Sequence, residues 1–140
     1  MDNCIEHLLK QNEKDDIEII IIDDGSTKDF TLEIAKGWEV KYPNVIRAIH
    51  QENCGHGEAV NTGLKNAKGL YFKVVDSDDW LNEEGTRPIM DYIRKQASVF
   101  AKGGNPCDLV IGNYVYNKVF EDKQTPINYC KALPENKEFT

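Results

Sequence analysis

The sequence lacks the features that membrane spans, nucleic-acid binders and secreted proteins require. Its longest apolar run is four consecutive isoleucines at 19–22, whereas a bilayer span needs roughly 20 apolar residues. Basic residues number 17 against 24 acidic ones, for a net charge of −7, and a duplex nucleic-acid binder needs a cationic surface. Residues 1–9 contain two acidic side chains and no sustained apolar stretch, so we expect no secretory signal.

Cysteine is sparse as well. No two of the four cysteines have the spacing of a zinc-binding clip. A disulfide is formally possible, but a chain of 140 residues that is 40% hydrophobic can build a core without one. We therefore expect reduced thiols in a cytoplasmic protein with room for one globular domain. The cysteines are Cys4, Cys54, Cys107 and Cys130.

Apolar residues follow helical and strand periods in alternation, which is typical of a layered α/β domain. The β-branched run 17–22 predicts a strand covered on both faces. Phe30, Ile34 and Trp38 lie on one predicted stripe of the second helix, and Pro88 is expected in the first turn of a later helix whose Phe100 faces inward. Helices are expected at 4–9, from about 29 to 42, from about 57 to 67 and from about 88 to 100, strands at 17–22, 45–50, 70–75 and 109–119, and irregular chain after 121.

Strands joined by helices of this length predict parallel pairing with right-handed crossovers. The expected fold is therefore a three-layer α/β/α domain with a mostly parallel central sheet. Ligands of such sheets bind beyond the carboxyl ends of the strands. Acidic clusters follow two of the predicted strands, Asp-Asp at 23–24 and Asp-Ser-Asp-Asp at 76–79. The sequence therefore predicts a ligand site where these clusters share one edge of the sheet.

The second cluster has the composition of a cation site. Asp76, Asp78 and Asp79 place three carboxylates within four residues, and their mutual repulsion opposes folding unless a cation neutralises them. Mg²⁺ and Mn²⁺ accept carboxylate oxygens and keep positions for substrate phosphates. The alternative is a solvated acidic turn before the next helix, which is the more common case for this motif in isolation.

The first cluster has the composition of a turn that can contact a nucleotide. The carboxylates of Asp23 and Asp24 can accept hydrogen bonds from a nucleobase or a ribose, Gly25 permits close backbone approach, and Ser26 can cap the following helix. The alternative is a turn with a helix cap and no ligand. Gly-His-Gly at 55–57 could present helix amides to an anion.

Taken in order, three stretches resemble the family 2 inverting glycosyltransferases, whose nucleotide-sugar-binding fold is of the GT-A type. They are 17–27 (IEIIIIDDGST), 55–64 (GHGEAVNTGL) and 74–81 (VVDSDDWL), within a resemblance that covers about residues 4–120.

The resemblance implies a nucleotide-sugar donor, expected to be a UDP-sugar, and a glycan or lipid-linked acceptor. It implies that Asp24 contacts the nucleobase, and that Asp76 and Asp78 hold Mg²⁺ or Mn²⁺ on the donor diphosphate in the manner of a DXD motif. Many members carry Arg where this chain has Val60. The donor-binding residues transferred by resemblance are Asp23, Asp24, Gly25, Ser26, Gly57, Ala59, Asn61, Asp76 and Asp79.

Two departures from the family pattern set further expectations. The family begins with a strand that this chain does not contain, and its general base comes from a residue that we expect beyond residue 140. We therefore expect a partial GT-A domain at 1–120, an irregular segment at 121–140, no nameable catalytic base, and a fragment that binds donor weakly without turnover. The incomplete sheet would expose apolar surface that invites association.

The full-length protein is expected to act in bacterial cell-surface polysaccharide synthesis, in the cytoplasm or peripherally at the inner face of the membrane. Three alternative functions are compared with the sequence. A receiver-type signalling module would need a Lys after its last strand, for which Lys118 is the candidate. A phosphatase of the Asp-x-Asp type would have Thr or Val where Trp80 stands. A non-catalytic nucleotide-binding remnant is the third.

Overall fold

The structure is a computed structural model that describes residues 1–12, 16–27, 29–118, 123–134 and 137. It divides into two compact units, 1–87 and 88–140, which are treated separately below. Within the described residues, no helix is both long enough and apolar enough to cross a membrane.

The first unit alternates helices and strands, as the sequence predicts. Its two strands run parallel in a continuous register from Ile19 opposite Ile46 to Asp24 opposite Gln51. Both strands therefore end at the same edge of the sheet. The elements are α1 (Asp2–Lys10), β1 (Ile19–Asp24), α2 (Thr31–Lys41), β2 (Ile46–Gln51), α3 (His56–Asn66) and the first turn of α4 (Glu83–Ala101).

Helices cover both faces of this two-stranded sheet. On one face, Ile5 of α1 packs with Ile19 and Ile46 in the buried core, and Trp38 of α2 lies against the same cluster. The opposite face carries α3, where a Cβ atom at Gly63 would lie 3.8 Å from a side-chain carbon of Ile22. The predicted α/β/α layering is therefore confirmed in this unit.

The predicted strand at 70–75 is absent from the described structure. This segment is neither helix nor strand, and its alternate residues Leu70, Phe72 and Val74 are each more than 40% exposed. The period-2 pattern is present, but a strand forms only where a second strand supplies hydrogen bonds. Among the described strands, β1 pairs with β2 alone.

Two expectations about helices are also wrong. The last helix of the unit begins at Glu83 instead of near Pro88, because the Asn82 Oδ1 atom accepts a hydrogen bond from the Gly85 amide at 2.8 Å and caps the helix upstream. In α2 the buried residue is Ala35, whereas Phe30 and Ile34 are exposed. Ala35 is the fully buried contact of this helix, and of the predicted stripe Trp38 does pack against the core cluster.

The second unit contains the rest of α4 and an antiparallel pair, β3 (Tyr114–Lys118) and β4 (Lys123–Ile127). The strand predicted at 109–119 is shorter than expected, and its predicted end at Val119 lies outside the described residues. The expectation of irregular chain after 121 is wrong for β4, which is ordered by pairing with β3. Phe100, expected to face inward, is 57% exposed. The predicted domain boundary at 120 stays a prediction.

Candidate functional site

Asp23 is the last residue of β1 whose side chain faces the core, and it is almost completely buried. Its side chain is 1% exposed, and its Oδ2 atom lies 2.6 Å from His50 Nδ1, while Oδ1 accepts a hydrogen bond from the Ser26 amide at 3.3 Å. Burial raises the pKa of Asp23, but the hydrogen bonds from Ser26 and His50 outweigh it, so the net shift is downward. The buried carboxyl is therefore ionised at neutral pH.

Asp24 holds the loop that joins β2 to α3. Its Oδ1 atom accepts hydrogen bonds from Gln51 Nε2 at 2.7 Å and from the Cys54 amide at 3.0 Å, and its Oδ2 atom accepts one from the Gly55 amide at 2.8 Å. The hydrogen bonds from Cys54 and Gln51 are the main reasons that the pKa of Asp24 is lowered. The end of β1 thereby fixes the position at which α3 begins.

Gly25 allows the same loop to approach the end of β1. Its φ of +73° lies in the left-handed region, and a Cβ atom there would lie 2.6 Å from the backbone nitrogen of Asn53. A side chain would therefore be both strained and obstructed. The close approach expected at Gly25 is made here by a loop of the chain itself.

The first turns of α3 carry three of the predicted donor-binding residues. Gly57 and Asn61 are exposed, and Ala59 is half-buried. Asn61 Nδ2 donates a hydrogen bond to Glu58 Oε2 at 3.0 Å, and Lys65 Nζ lies 3.3 Å from Glu58 Oε1. These two contacts lower the pKa of Glu58. The helix therefore presents a polar, hydrogen-bonded surface in its first turns.

The acidic turn at 76–79 lies beside α1. The Asp79 amide donates to the Asp76 carbonyl at 3.0 Å, and the residues of the turn are exposed. Burial is the largest cause of the raised pKa of Cys4 in α1; the N-terminal charge lowers that pKa, and Asp79 and Asp78 raise it further. The following residue, Trp80, has its ring 6.4 Å from the ring of His7.

In the part of the chain that the structure describes, no hydrogen bond or ion pair links the acidic residues at 23–24 to those at 76–79. Within the described residues, no group of three or more His, Cys, Asp or Glu side chains is arranged to hold a metal ion. Asp76 and Asp78 have no side-chain hydrogen bond or ion pair in that part of the chain. Their free carboxylates suit a hard cation that takes its remaining ligands from water and a bound diphosphate, so the donor set fits Mg²⁺ or Mn²⁺ only together with such a ligand.

Sequence reasoning missed two residues at this site. His50 is the partner of the buried Asp23, and Glu58 is the acceptor for Asn61 and Lys65. The Glu58–Lys65 pair could have been sought on one helix. The Asp23–His50 pair depends on the register of two parallel strands, for which the sequence carries no local signal.

Comparisons with known proteins agree with the motif order. The family model described as glycosyl transferase family 2 matches residues 1–134. The glycosyltransferase GlyG of Streptococcus pneumoniae serotype 4 is 40% identical over 81% of this chain and 34% of its own length. EpsH of Bacillus subtilis is 39% identical over 96% of this chain and 39% of its own length. Chondroitin synthase of Escherichia coli is 40% identical over 69% of this chain and 14% of its own length.

The chain thus spans between about a seventh and two fifths of the length of these relatives. The match to the family covers both units, including the strand β4 that sequence periodicity did not predict. On the family match and on these identities, the chain belongs to glycosyl transferase family 2.

Proposed function

We propose that the protein transfers a sugar from a nucleoside diphosphate sugar, expected to be a UDP-sugar, to a glycan or lipid-linked acceptor with inversion at the anomeric carbon. The observation that carries this proposal is the pair of hydrogen bonds that the Asp24 carboxylate accepts from the Cys54 and Gly55 amides. These bonds fix the β2–α3 loop and the start of α3 at the carboxyl edge of parallel strands, where open α/β sheets bind nucleotides.

In this proposal each of the predicted donor-binding segments has one task. Gly57, Ala59 and Asn61 on α3 line the donor site, and the three carboxylates of the 76–79 turn face the diphosphate and the donor sugar. Asp76 and Asp78 would hold Mg²⁺ or Mn²⁺, which supplies positive charge that stabilises the departing nucleoside diphosphate. We assign no general base to a described residue.

The names of two relatives support a role in making polymers. One is chondroitin synthase of Escherichia coli, and another is poly(ribitol-phosphate) beta-glucosyltransferase of Bacillus spizizenii, which is 41% identical over 58% of this chain. We propose that the present protein acts in cell-surface polysaccharide synthesis, in the cytoplasm or peripherally at the inner face of the membrane.

Calorimetric titration of the chain with UDP in the presence of Mn²⁺ tests the donor site. We expect binding that is abolished by chelation and is weakened at least about tenfold by Asp78→Ala, since one of two carboxylate ligands is lost. Asp108→Ala is the matched control, because Asp108 is exposed in the second unit and its removal changes the net charge equally. Binding to Asp78→Ala with wild-type affinity, or covalent labelling of the chain by acetyl phosphate, would contradict the proposal.

A further inference from the structure

Gln51 is the last residue of β2, and its side chain contacts a predicted donor-binding residue. In the parallel register Gln51 lies opposite Asp24, and its Nε2 atom donates a hydrogen bond to Asp24 Oδ1 at 2.7 Å. Ile22, two residues before Asp24, faces α3. Because side chains alternate along a strand, Asp24 and Gln51 extend from the same α3 side of the sheet. Gln51 is not among the residues that the family resemblance assigns to the donor.

The Asp24 carboxylate fixes the orientation of the Gln51 amide. Two further donors, the Cys54 and Gly55 amides, bind the same carboxylate, and the hydrogen bonds from Cys54 and Gln51 are the main reasons that its pKa is lowered. An ionised carboxylate accepts hydrogen bonds and donates none. The amino group of Gln51 must therefore face Asp24, because the reversed amide would set its oxygen against a carboxylate oxygen.

This orientation leaves one acceptor and one donor of the Gln51 amide available to a ligand. Among the described residues, the bond to Asp24 is the one hydrogen bond that the Gln51 side chain forms. Oε1 keeps both of its lone pairs, and Nε2 keeps its second N–H group. The side chain is half-buried. The amide thus presents an acceptor and a donor side by side on one planar group that Asp24 holds.

The same carboxylate connects Gln51 with the predicted donor-binding surface of α3. Asp24 holds the amide of Gly55, the residue that precedes this helix. The contact from Asn61 is the largest cause of the lowered pKa of Glu58, and Asp24 lies close enough for its charge to oppose that shift. Gln51, Asp24 and the first turns of α3 therefore border one region at the carboxyl edge of the strands, where open α/β sheets bind nucleotides.

We propose that Gln51 is a nucleobase-contacting residue whose Oε1 atom accepts a hydrogen bond from the ring N–H of uracil, while its second Nε2 hydrogen is donated to a carbonyl oxygen of the same base. The inference rests on the proposed function and deepens it. Uracil carries an N–H between its two carbonyl groups, whereas cytosine has a bare nitrogen at the same ring position. Because Asp24 prevents the amide from turning over, cytosine would face Oε1 with a second acceptor. Asp24 is then the positioning residue for this contact.

Titration of the chain with UDP and with CDP, each in Mn²⁺, measures the preference for uracil over cytosine. The two ligands share their ribose and diphosphate, so the ratio of their dissociation constants isolates the contribution of the base. We expect the wild-type chain to bind UDP about tenfold more tightly than CDP, which corresponds to one hydrogen bond to a half-buried amide.

Two substitutions separate contact with the base from support of Asp24. Gln51→Lys keeps a donor for Asp24 and removes the acceptor, whereas Gln51→Met keeps the length of the side chain and removes both. We expect each variant to lower the preference for UDP over CDP at least about threefold. Gln51→Lys should lower it further than Gln51→Met, because an ammonium group donates to the bare cytosine nitrogen. A role confined to support of Asp24 would leave the preference in Gln51→Lys unchanged.

Gln124→Lys is the matched control, since it makes the same change of charge at an exposed position of β4 in the second unit. It should keep the wild-type preference. Partial unfolding of a variant weakens the apparent affinity for both ligands by the same factor, so their ratio still reports on the base. A wild-type preference in both Gln51 variants, or equal binding of UDP and CDP by the wild-type chain, would overturn the inference and leave the proposed function intact. Failure of the wild-type chain to bind either nucleotide would overturn both.

Discussion

Replacement of Gly25 by Ala tests whether the β2–α3 loop packs against the end of β1 as the structure shows. A non-glycine residue in the left-handed region costs about 1 to 2 kcal/mol. The added Cβ atom would also lie 2.6 Å from the Asn53 nitrogen, and overpacking of this kind typically costs about 1 to 3 kcal/mol. We therefore expect Gly25→Ala to lower the free energy of unfolding by about 2 to 5 kcal/mol.

The matched controls are two glycines in the same unit. Gly37 lies inside α2, has no positive φ, and has nothing within 4 Å of the position that an added Cβ atom would take, so Gly37→Ala should stabilise by about 0.5 to 1 kcal/mol. Gly55 has a φ of +85° and equally open surroundings. Gly55→Ala should therefore destabilise through backbone strain alone, by about 1 to 3 kcal/mol.

Urea unfolding followed by tryptophan fluorescence is the assay. Both tryptophans, Trp38 and Trp80, belong to the first unit, so the signal reports on the part of the chain that is changed. With a denaturant slope of about 1 to 3 kcal/mol per molar urea, a loss of about 3 kcal/mol moves the midpoint by about 1 to 3 M. A Gly25→Ala midpoint equal to or above that of the wild type would refute the packing described for this loop.

Two further predictions concern stability. Glu18 accepts hydrogen bonds from the Lys68 and Gly69 amides and from Arg47. Burial raises the pKa of Glu18, but these hydrogen bonds outweigh the effect of burial, so the pKa is lowered from 4.5. Its contribution is therefore complete above pH 4.5 and is lost as the pH falls through the lower folded-state value. Glu18→Gln should flatten the decline of the urea midpoint between about pH 5 and 3, and an unchanged decline would contradict this. Ile46→Ala, at a fully buried position, should cost about 2 to 5 kcal/mol and Ile46→Val about 0.5 to 1.5; equal midpoints for the two would show that the site is not packed.

Motifs were more predictable from the sequence than packing was. The isoleucine run and the helix that follows it identified β1 and α2, because β-branched runs and helical periods are local signals. Phe30 and Ile34 were misplaced because the depth to which a helix face is buried depends on what it packs against, here through Ala35. The predicted start of α4 was wrong because a proline is tolerated in a first helical turn but does not require the helix to begin there. The helix begins at Glu83, where the Asn82 side chain caps it.

The sequence by itself determined the alternation of helices and strands, the parallel pairing of β1 with β2, and the order of three motifs that is typical of the family. Each of these follows from residue type and short-range spacing. Only the tertiary structure decided that Asp23 faces His50 and that Asp24 holds residues 51–55. These contacts join positions 27 to 31 residues apart, and they exist because strand register and loop approach are set by the packing of the whole unit. The same reason leaves 70–75 without a strand, since an apolar alternation becomes a strand only beside a partner.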